Sequence, residues 1–113
     1  MHELSIVMSI IDIAASESEK HQRPVIEKIE LDIGDLAGIE RSALDFAWSA
    51  AIPGSILDGA ELIIHDIRGE KRCLECDQTY TVKQLYDACP HCQSFFGEIL
   101  SGKELRIRAL TFK

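Results

Sequence analysis

Between Leu4 and about Glu19, apolar residues recur at helical spacing. Leu4, Val7, Met8, Ile11 and Ala15 form one stripe, which Ile6, Ile10 and Ile13 widen. The pattern predicts an amphipathic helix with that face inward. The charged stretch Glu17 to Arg23 ends it, and Pro24 bars continuation. The period then changes from helical to two: Ile29, Leu31 and Ile33 alternate with Lys28, Glu30 and Asp32, the mark of a half-buried strand. Gly34 to Gly38 form a loop. A second helix is predicted from near Glu40 to Ile52, with Ala43, Leu44, Ala47, Ala50 and Ala51 inward and Pro53-Gly54 as the stop. Ala60 to Ile67, after the Asp58-Gly59 turn, read as another strand. Leu105, Ile107 and Ala109, alternating with Arg106 and Arg108, give the last.

The segment between the last two strands follows neither period, and it holds all four cysteines of the chain. They stand in two knuckles, Cys73-Leu74-Glu75-Cys76 and Cys89-Pro90-His91-Cys92, with twelve residues between. A Cys-x-x-Cys turn points both sulfurs to one side, and two such turns joined by a short hairpin make a closed tetrahedral thiolate site. Zinc suits that donor set. Rubredoxin-like iron uses similar knuckles, and a pair of disulfides is the remaining alternative. Four thiolates leave no position open for water, so the metal is expected to staple the fold and perform no chemistry. His91 lies inside the second knuckle but is not needed as a ligand.

The expected architecture is α+β: a small mixed sheet of about three strands with two helices on one face, plus an inserted zinc-ribbon unit. Residues 1–70 and 101–113 would make the α/β domain and residues 71–100 the ribbon inserted between two strands. Gly69 and Ser101-Gly102 sit where the chain would leave and re-enter the sheet, as a double hinge. Phe46 and Trp48 are expected in the core, and Phe95 and Phe96 beneath the metal hairpin. His65 and His21 read as an ordinary strand histidine and a solvated one.

Length and charge fit this organisation. At 113 residues the chain supports one modest hydrophobic core, and a second unit only if something else stabilises it, as a metal does. No apolar run approaches the roughly twenty residues that span a bilayer. The chain opens without the charged region and cleavage site of a signal peptide, and reduced cysteines point to the cytosol. The net charge of −7 disfavours nucleic acid, which demands clustered Lys and Arg. There is no phosphate-binding loop, no spare cysteine nucleophile and no paired acid and base, so an enzyme is not expected.

The chain begins Met1-His2-Glu3. A bulky second residue blocks removal of Met1, leaving its α-amine free. That amine, the deprotonated backbone nitrogen of His2 and a ring nitrogen of His2 can close two chelate rings around one ion. Planar nitrogen donors suit Ni(II) or Cu(II), and the Glu3 backbone nitrogen could complete the square. Chemistry alone favours the plainer reading, an ordinary histidine near a terminus.

The order of the motifs changes that balance. Met1-His2-Glu3-Leu4-Ser5, Ile33-Gly34-Asp35-Leu36 after a strand, Gly59-Ala60-Glu61-Leu62 turning into the next, and the paired knuckles together resemble the HypA/HybF family of hydrogenase and urease nickel-insertion accessory proteins. The resemblance covers essentially the whole chain. It implies a nickel metallochaperone holding Ni(II) at Met1, His2 and Glu3 and zinc at Cys73, Cys76, Cys89 and Cys92. Some members use an acidic residue beside the nickel, which makes Glu40 a candidate, although a helix dipole alone explains an acid there. The implied partners are a HypB-type GTPase, the [NiFe]-hydrogenase large subunit and in some organisms urease accessory proteins. Nucleic acid and membrane are not expected partners, and monomer and homodimer both stay open. The alternative without nickel is a zinc-ribbon adaptor or nucleic-acid-binding regulator.

Overall fold

The computed structural model describes residues 2–113, so Met1 lies outside the described residues. The order is α1 (Glu3–Lys20), β1 (Ile26–Gly34), α2 (Arg41–Ala51), β2 (Glu61–Ile67), β3 (Gly69–Cys73), β4 (Thr79–Val82), β5 (Gly97–Ser101) and β6 (Leu105–Phe112). Two three-stranded sheets result, one ordered β2-β1-β6 and one ordered β4-β3-β5. The class is α+β, as the sequence indicates. The chain divides into two compact units: residues 1–31, 39–64 and 107–113, and residues 32–38 and 65–106.

In the first unit α1 and α2 pack together, but α1 is turned relative to expectation. Its buried residues are Val7, Ile10, Ala14 and Ser18, while Leu4, Met8 and Ile13 are exposed. A helix apolar around most of its circumference does not declare which face the core will take. The helix ends in a Schellman arrangement: the Arg23 amide bonds the Ser18 carbonyl and the Gln22 amide bonds the Glu19 carbonyl. Gln22 takes the left-handed conformation this requires, at φ 54°. On α2, Leu44 and Ala47 are buried, whereas Ala50 is exposed. Phe46 is 77% exposed, contrary to its expected core role.

In β1 the expected alternation fails at Asp32, which is buried like its neighbours Leu31 and Ile33. A buried carboxylate needs a partner, and Arg106 of β6 donates to it from Nε at 2.9 Å.

The second unit is built on β3, which pairs antiparallel with both β4 and β5. Its core comprises Leu36, Cys73, Tyr80, Val82 and Cys89, with Cys76 and Ile99 packed against it. Two of those five buried side chains are cysteines. The Arg72 guanidinium bonds Glu98, its cross-strand partner, at 2.5 Å, and Lys71 buries its stem to donate to the Leu85 carbonyl at 3.0 Å.

Gly69 and Gly102, expected at a hinge, are with Gly34 places of close backbone approach. A Cβ on Gly34 would stand 1.9 Å from the Gly102 carbonyl oxygen, one on Gly102 2.6 Å from the Gly69 Cα, and one on Gly69 2.6 Å from the Val82 carbonyl oxygen. Hydrogen bonds from Leu36 N to Gly102 O (2.7 Å) and from Asp35 N to Ile67 O (2.9 Å) tie the same backbones together.

Candidate metal centres

The two knuckles are conformational copies. In the first, the Cys73 amide bonds the Gln78 carbonyl at 2.8 Å and the Asp77 amide returns to the Cys73 carbonyl at 3.0 Å. In the second, Cys89 bonds Ser94 and Gln93 returns to Cys89, each at 2.8 Å. Asp77 and Gln93, each just after a knuckle's second cysteine, adopt the left-handed conformation at φ 63° and 67°. That turn reverses the chain while leaving both sulfurs of a knuckle on one side. The Cys73 sulfur also accepts from the amides of Glu75 and Cys76, both at 3.4 Å.

β3 delivers Cys73, and its antiparallel pairing with both β4 and β5 holds the two strands that flank the second knuckle in sequence. All four sulfurs lie within 4.8 Å of one another. Across the knuckles, Cys73 and Cys92 are 3.5 Å apart and Cys76 and Cys89 are 3.6 Å apart. Sulfurs about 2.3 Å from a central ion in a tetrahedron would be separated by about 3.8 Å, so the donor set and spacing fit a closed tetrahedral thiolate site. No disulfide joins them. Cys73 and Cys89 are buried, Cys76 is half-buried and Cys92 is exposed.

The thiols differ in acidity. The Cys76 amide bond, with help from that of Glu75 and against burial, brings Cys73 down to about 6. At Cys92 the Ser94 amide pulls down but is outweighed by the Cys73 sulfur, by burial and by the other sulfurs, so that thiol is pushed up to about 12. Amide donors and neighbouring sulfurs thus act on the thiols in opposite directions, and a metal binding the quartet would have to release thiol protons.

His91 is exposed and outside this cluster. Phe95 and Phe96, expected beneath the hairpin, are both exposed. His65 is half-buried and has an interaction partner. His21 is not simply solvated: it caps α1, lies 3.3 Å from Glu17 and stacks obliquely on Phe112.

At the other candidate site, His2 is the N-cap of α1 in extended conformation, φ −84° and ψ 95°. Its carbonyl starts the helix by accepting from the Ile6 amide, but its exposed side chain makes no capping bond. The amides of His2 and Glu3 have no upstream helical carbonyl to bond. Glu3, the first residue of α1, accepts from the Glu40 amide through Oε2 at 3.2 Å. That amide, and Glu3's own, hold its carboxyl below the usual glutamate range. Glu40 caps α2, accepting through Oε1 from the Ser42 amide at 3.2 Å and from the Ser42 hydroxyl at 2.5 Å. Residues 37 apart in sequence thus meet at the heads of the two helices. Ser42 was missed in the sequence. Its position two residues beyond an acid opening a helix is the signal that could have found it.

A small α+β protein with four cysteines at metal-ligand spacing and an exposed histidine at the head of its first helix carries the side chains expected of a metal-handling protein. The match to known sequences makes that specific: residues 1–112 fit the family described as "Hydrogenase/urease nickel incorporation, metallochaperone, hypA", and the chain belongs to this HypA family. The hydrogenase maturation factor HypA of Parabacteroides distasonis is 42% identical over 113 residues, covering 100% of this chain and 98% of that one. The corresponding factor of Chlorobaculum parvum is 38% identical over 113 residues, with full coverage of both. The solution structure of the Ni metallochaperone HypA from Helicobacter pylori superposes with a TM-score of 0.68 at 28% identity, covering 99% of this chain and 97% of that one. As a member of a metallochaperone family, the chain is a maturation factor and not an enzyme. Among the described residues no helix is long and apolar enough to cross a membrane.

Proposed function

We propose that this chain carries Ni(II) to [NiFe]-hydrogenase during its maturation. Nickel would be held by the Met1 amine, the His2 backbone and ring nitrogens and the Glu3 backbone nitrogen, while Cys73, Cys76, Cys89 and Cys92 hold a resident zinc. The observation that carries the reading is His2. It stands exposed at the head of α1, with its imidazole spent on no cap and with neighbouring amides whose loss to a metal breaks no helical hydrogen bond. Glu40 belongs to this site through Glu3: the hydrogen bond between them positions the ligand-bearing terminus against α2. A planar site of nitrogen donors suits Ni(II) and can be taken apart without unfolding anything. The four sulfurs would keep zinc permanently and staple the second unit.

The domain assignment follows: residues 1–70 and 101–113 bear the cargo, and residues 71–100 form the inserted ribbon. Loading is proposed to occur in the cytosol with a HypB-type GTPase, since the chain has no phosphate-binding loop of its own. The hydrogenase large subunit is the proposed recipient, and urease accessory proteins are a second client where that enzyme is present.

The test is metal content and Ni(II) titration of untagged protein, compared with a form bearing one extra N-terminal residue and with His2→Ala. One zinc in every form, and one nickel lost in both altered forms, is the expected result. Undiminished nickel binding by His2→Ala would overturn the terminal site, and zinc without any nickel response would leave a zinc-ribbon adaptor.

A further inference from the structure

The rotation of α1 leaves an apolar stripe on its outside. Leu4 is 54% exposed, Met8 48%, Ala15 is also exposed and Ile11 is half-buried. Their spacing of four, three and four residues is that of a coiled-coil seam, with Leu4 and Ile11 at d and Met8 and Ala15 at a. The flanks of this seam differ. The g positions Val7 and Ala14 are buried. The e positions are Ser5, Asp12 and Glu19, all exposed, and the two acids stand outside the ion pairs that tie Glu17 to Lys20 and His21. At its C-terminal end the stripe runs into an open groove of ≈ 480 Å³, lined by Ala15 and Glu19 of α1, by Ile56, and by Arg23 and other residues after the helix.

We infer that this face docks an amphipathic helix of a partner protein, with an apolar seam and a basic edge. Charge selects the occupant. α1 carries Glu3, Asp12, Glu17 and Glu19 against Lys20 alone, in a chain of net charge −7. A second copy of α1 packed antiparallel would bring acid against acid at the e positions, and packed parallel it would set those acids against the buried g positions Val7 and Ala14, with no cation to meet them. A basic edge meets Asp12 and Glu19 and speeds encounter with an acidic surface. The seam begins two residues after His2, so the docked helix would lie with one end beside the head of α1. The inference stands on exposure and charge and does not require nickel at His2.

The probe is a labelled synthetic helix of about three heptads with Leu at a and d and Lys at e and g, titrated by fluorescence anisotropy with the full zinc-loaded chain. Comparison peptides are a scramble of the same composition and a version with Glu at e and g. The Leu/Lys helix should bind at least about ten-fold more tightly than either. Met8→Glu, a half-exposed position whose variant should melt like the parent, should remove that preference. Ile13→Glu, equally exposed but outside the seam, should retain it. Asp12→Lys with Glu19→Lys should transfer the preference to the Leu/Glu peptide. Equal binding of the scramble would overturn the inference, as would equal losses from Met8→Glu and Ile13→Glu. So would a dimer of the chain alone that Met8→Glu dissolves, which would assign the seam to a second copy.

Discussion

Replacing Gly34 by alanine tests whether the second unit depends on backbone contact that no side chain can relieve. The new Cβ would stand 1.9 Å from the Gly102 carbonyl oxygen and 2.1 Å from its carbon. Cβ contacts below 3.0 Å are essentially never seen, so the backbones must part by at least 3.0 − 1.9 = 1.1 Å. The oxygen pushed away is the one that accepts from the Leu36 amide at 2.7 Å, and the Gly34 amide bonds Glu104 O at 2.8 Å in the same place. Separation on that scale breaks both bonds. Unpaired buried partners cost about 1–3 kcal/mol each, so the expected loss is about 2–6 kcal/mol, a large part of a small protein's stability. Gly38→Ala, in the loop that follows β1, is the control. It meets nothing within 4 Å and suffers only from its φ of +74°, worth about 1–2 kcal/mol. Thermal unfolding of zinc-loaded protein should show a drop of about 10 °C or more for Gly34→Ala and a clearly smaller one for Gly38→Ala. Exchange of the Leu36 amide should accelerate only in the former. Equal stability of the two variants would refute the reasoning.

Three further outcomes are expected. If the quartet holds zinc as proposed, Cys89→Ala should lower the zinc content and unfold the second unit while leaving the helical signal of α1, checked by metal analysis and circular dichroism, because a three-sulfur remnant holds an ion poorly. Tyr80 is buried and its hydroxyl makes no hydrogen bond among the described residues, so Tyr80→Phe should stabilise the unit, by up to about 1–3 kcal/mol in denaturant titration. The Glu3 carboxyl is held below its usual range, first by the Glu40 amide. A depressed folded value means the contact is complete above the ordinary glutamate pKa and is lost as pH falls through the folded one. The Glu40 amide resonance should titrate in that acid window, and Glu3→Gln should abolish the titration.

The elements were legible wherever a period is clean. α2 begins and ends within a residue of expectation, because an acid cap and a Pro-Gly stop bracket it. The cysteine quartet was legible because few needs other than a metal impose that spacing. What stayed hidden depends on contacts between distant residues. The face of α1 was ambiguous because apolar residues surround most of the helix, and the choice falls to whatever packs on it. Asp32 looks solvent-facing by alternation, and the Arg106 guanidinium that pairs with it in the interior lies 74 residues on. Phe95 and Phe96 were expected beneath the hairpin because they follow the second knuckle, but both are exposed, and the buried side chains of that unit include Cys73 and Cys89 instead. Glu40 could be placed by its helix position, but not beside Glu3, since nothing in sequence relates residues 37 apart.

On the proposed reading the two metals ask opposite things of the backbone, and the structure differs accordingly at the two places. Each knuckle is held by reciprocal amide–carbonyl bonds and a left-handed residue, and its sulfurs form part of the core. Losing that ion would leave four thiols crowded together, so retention is coupled to folding. At the head of α1 the amides of His2 and Glu3 bond no helical carbonyl. The first bond of the helix ladder uses the His2 carbonyl instead, accepting from Ile6. A metal can take the nitrogens and return them without disturbing that ladder. The Glu3–Glu40 bond holds the same segment from the side-chain end, and the Glu3 amide, which bonds its own carboxyl, would exchange that contact for the cargo at no cost to the helix ladder. Binding there need not be coupled to folding, and a carrier that must give up its ion gains from that separation.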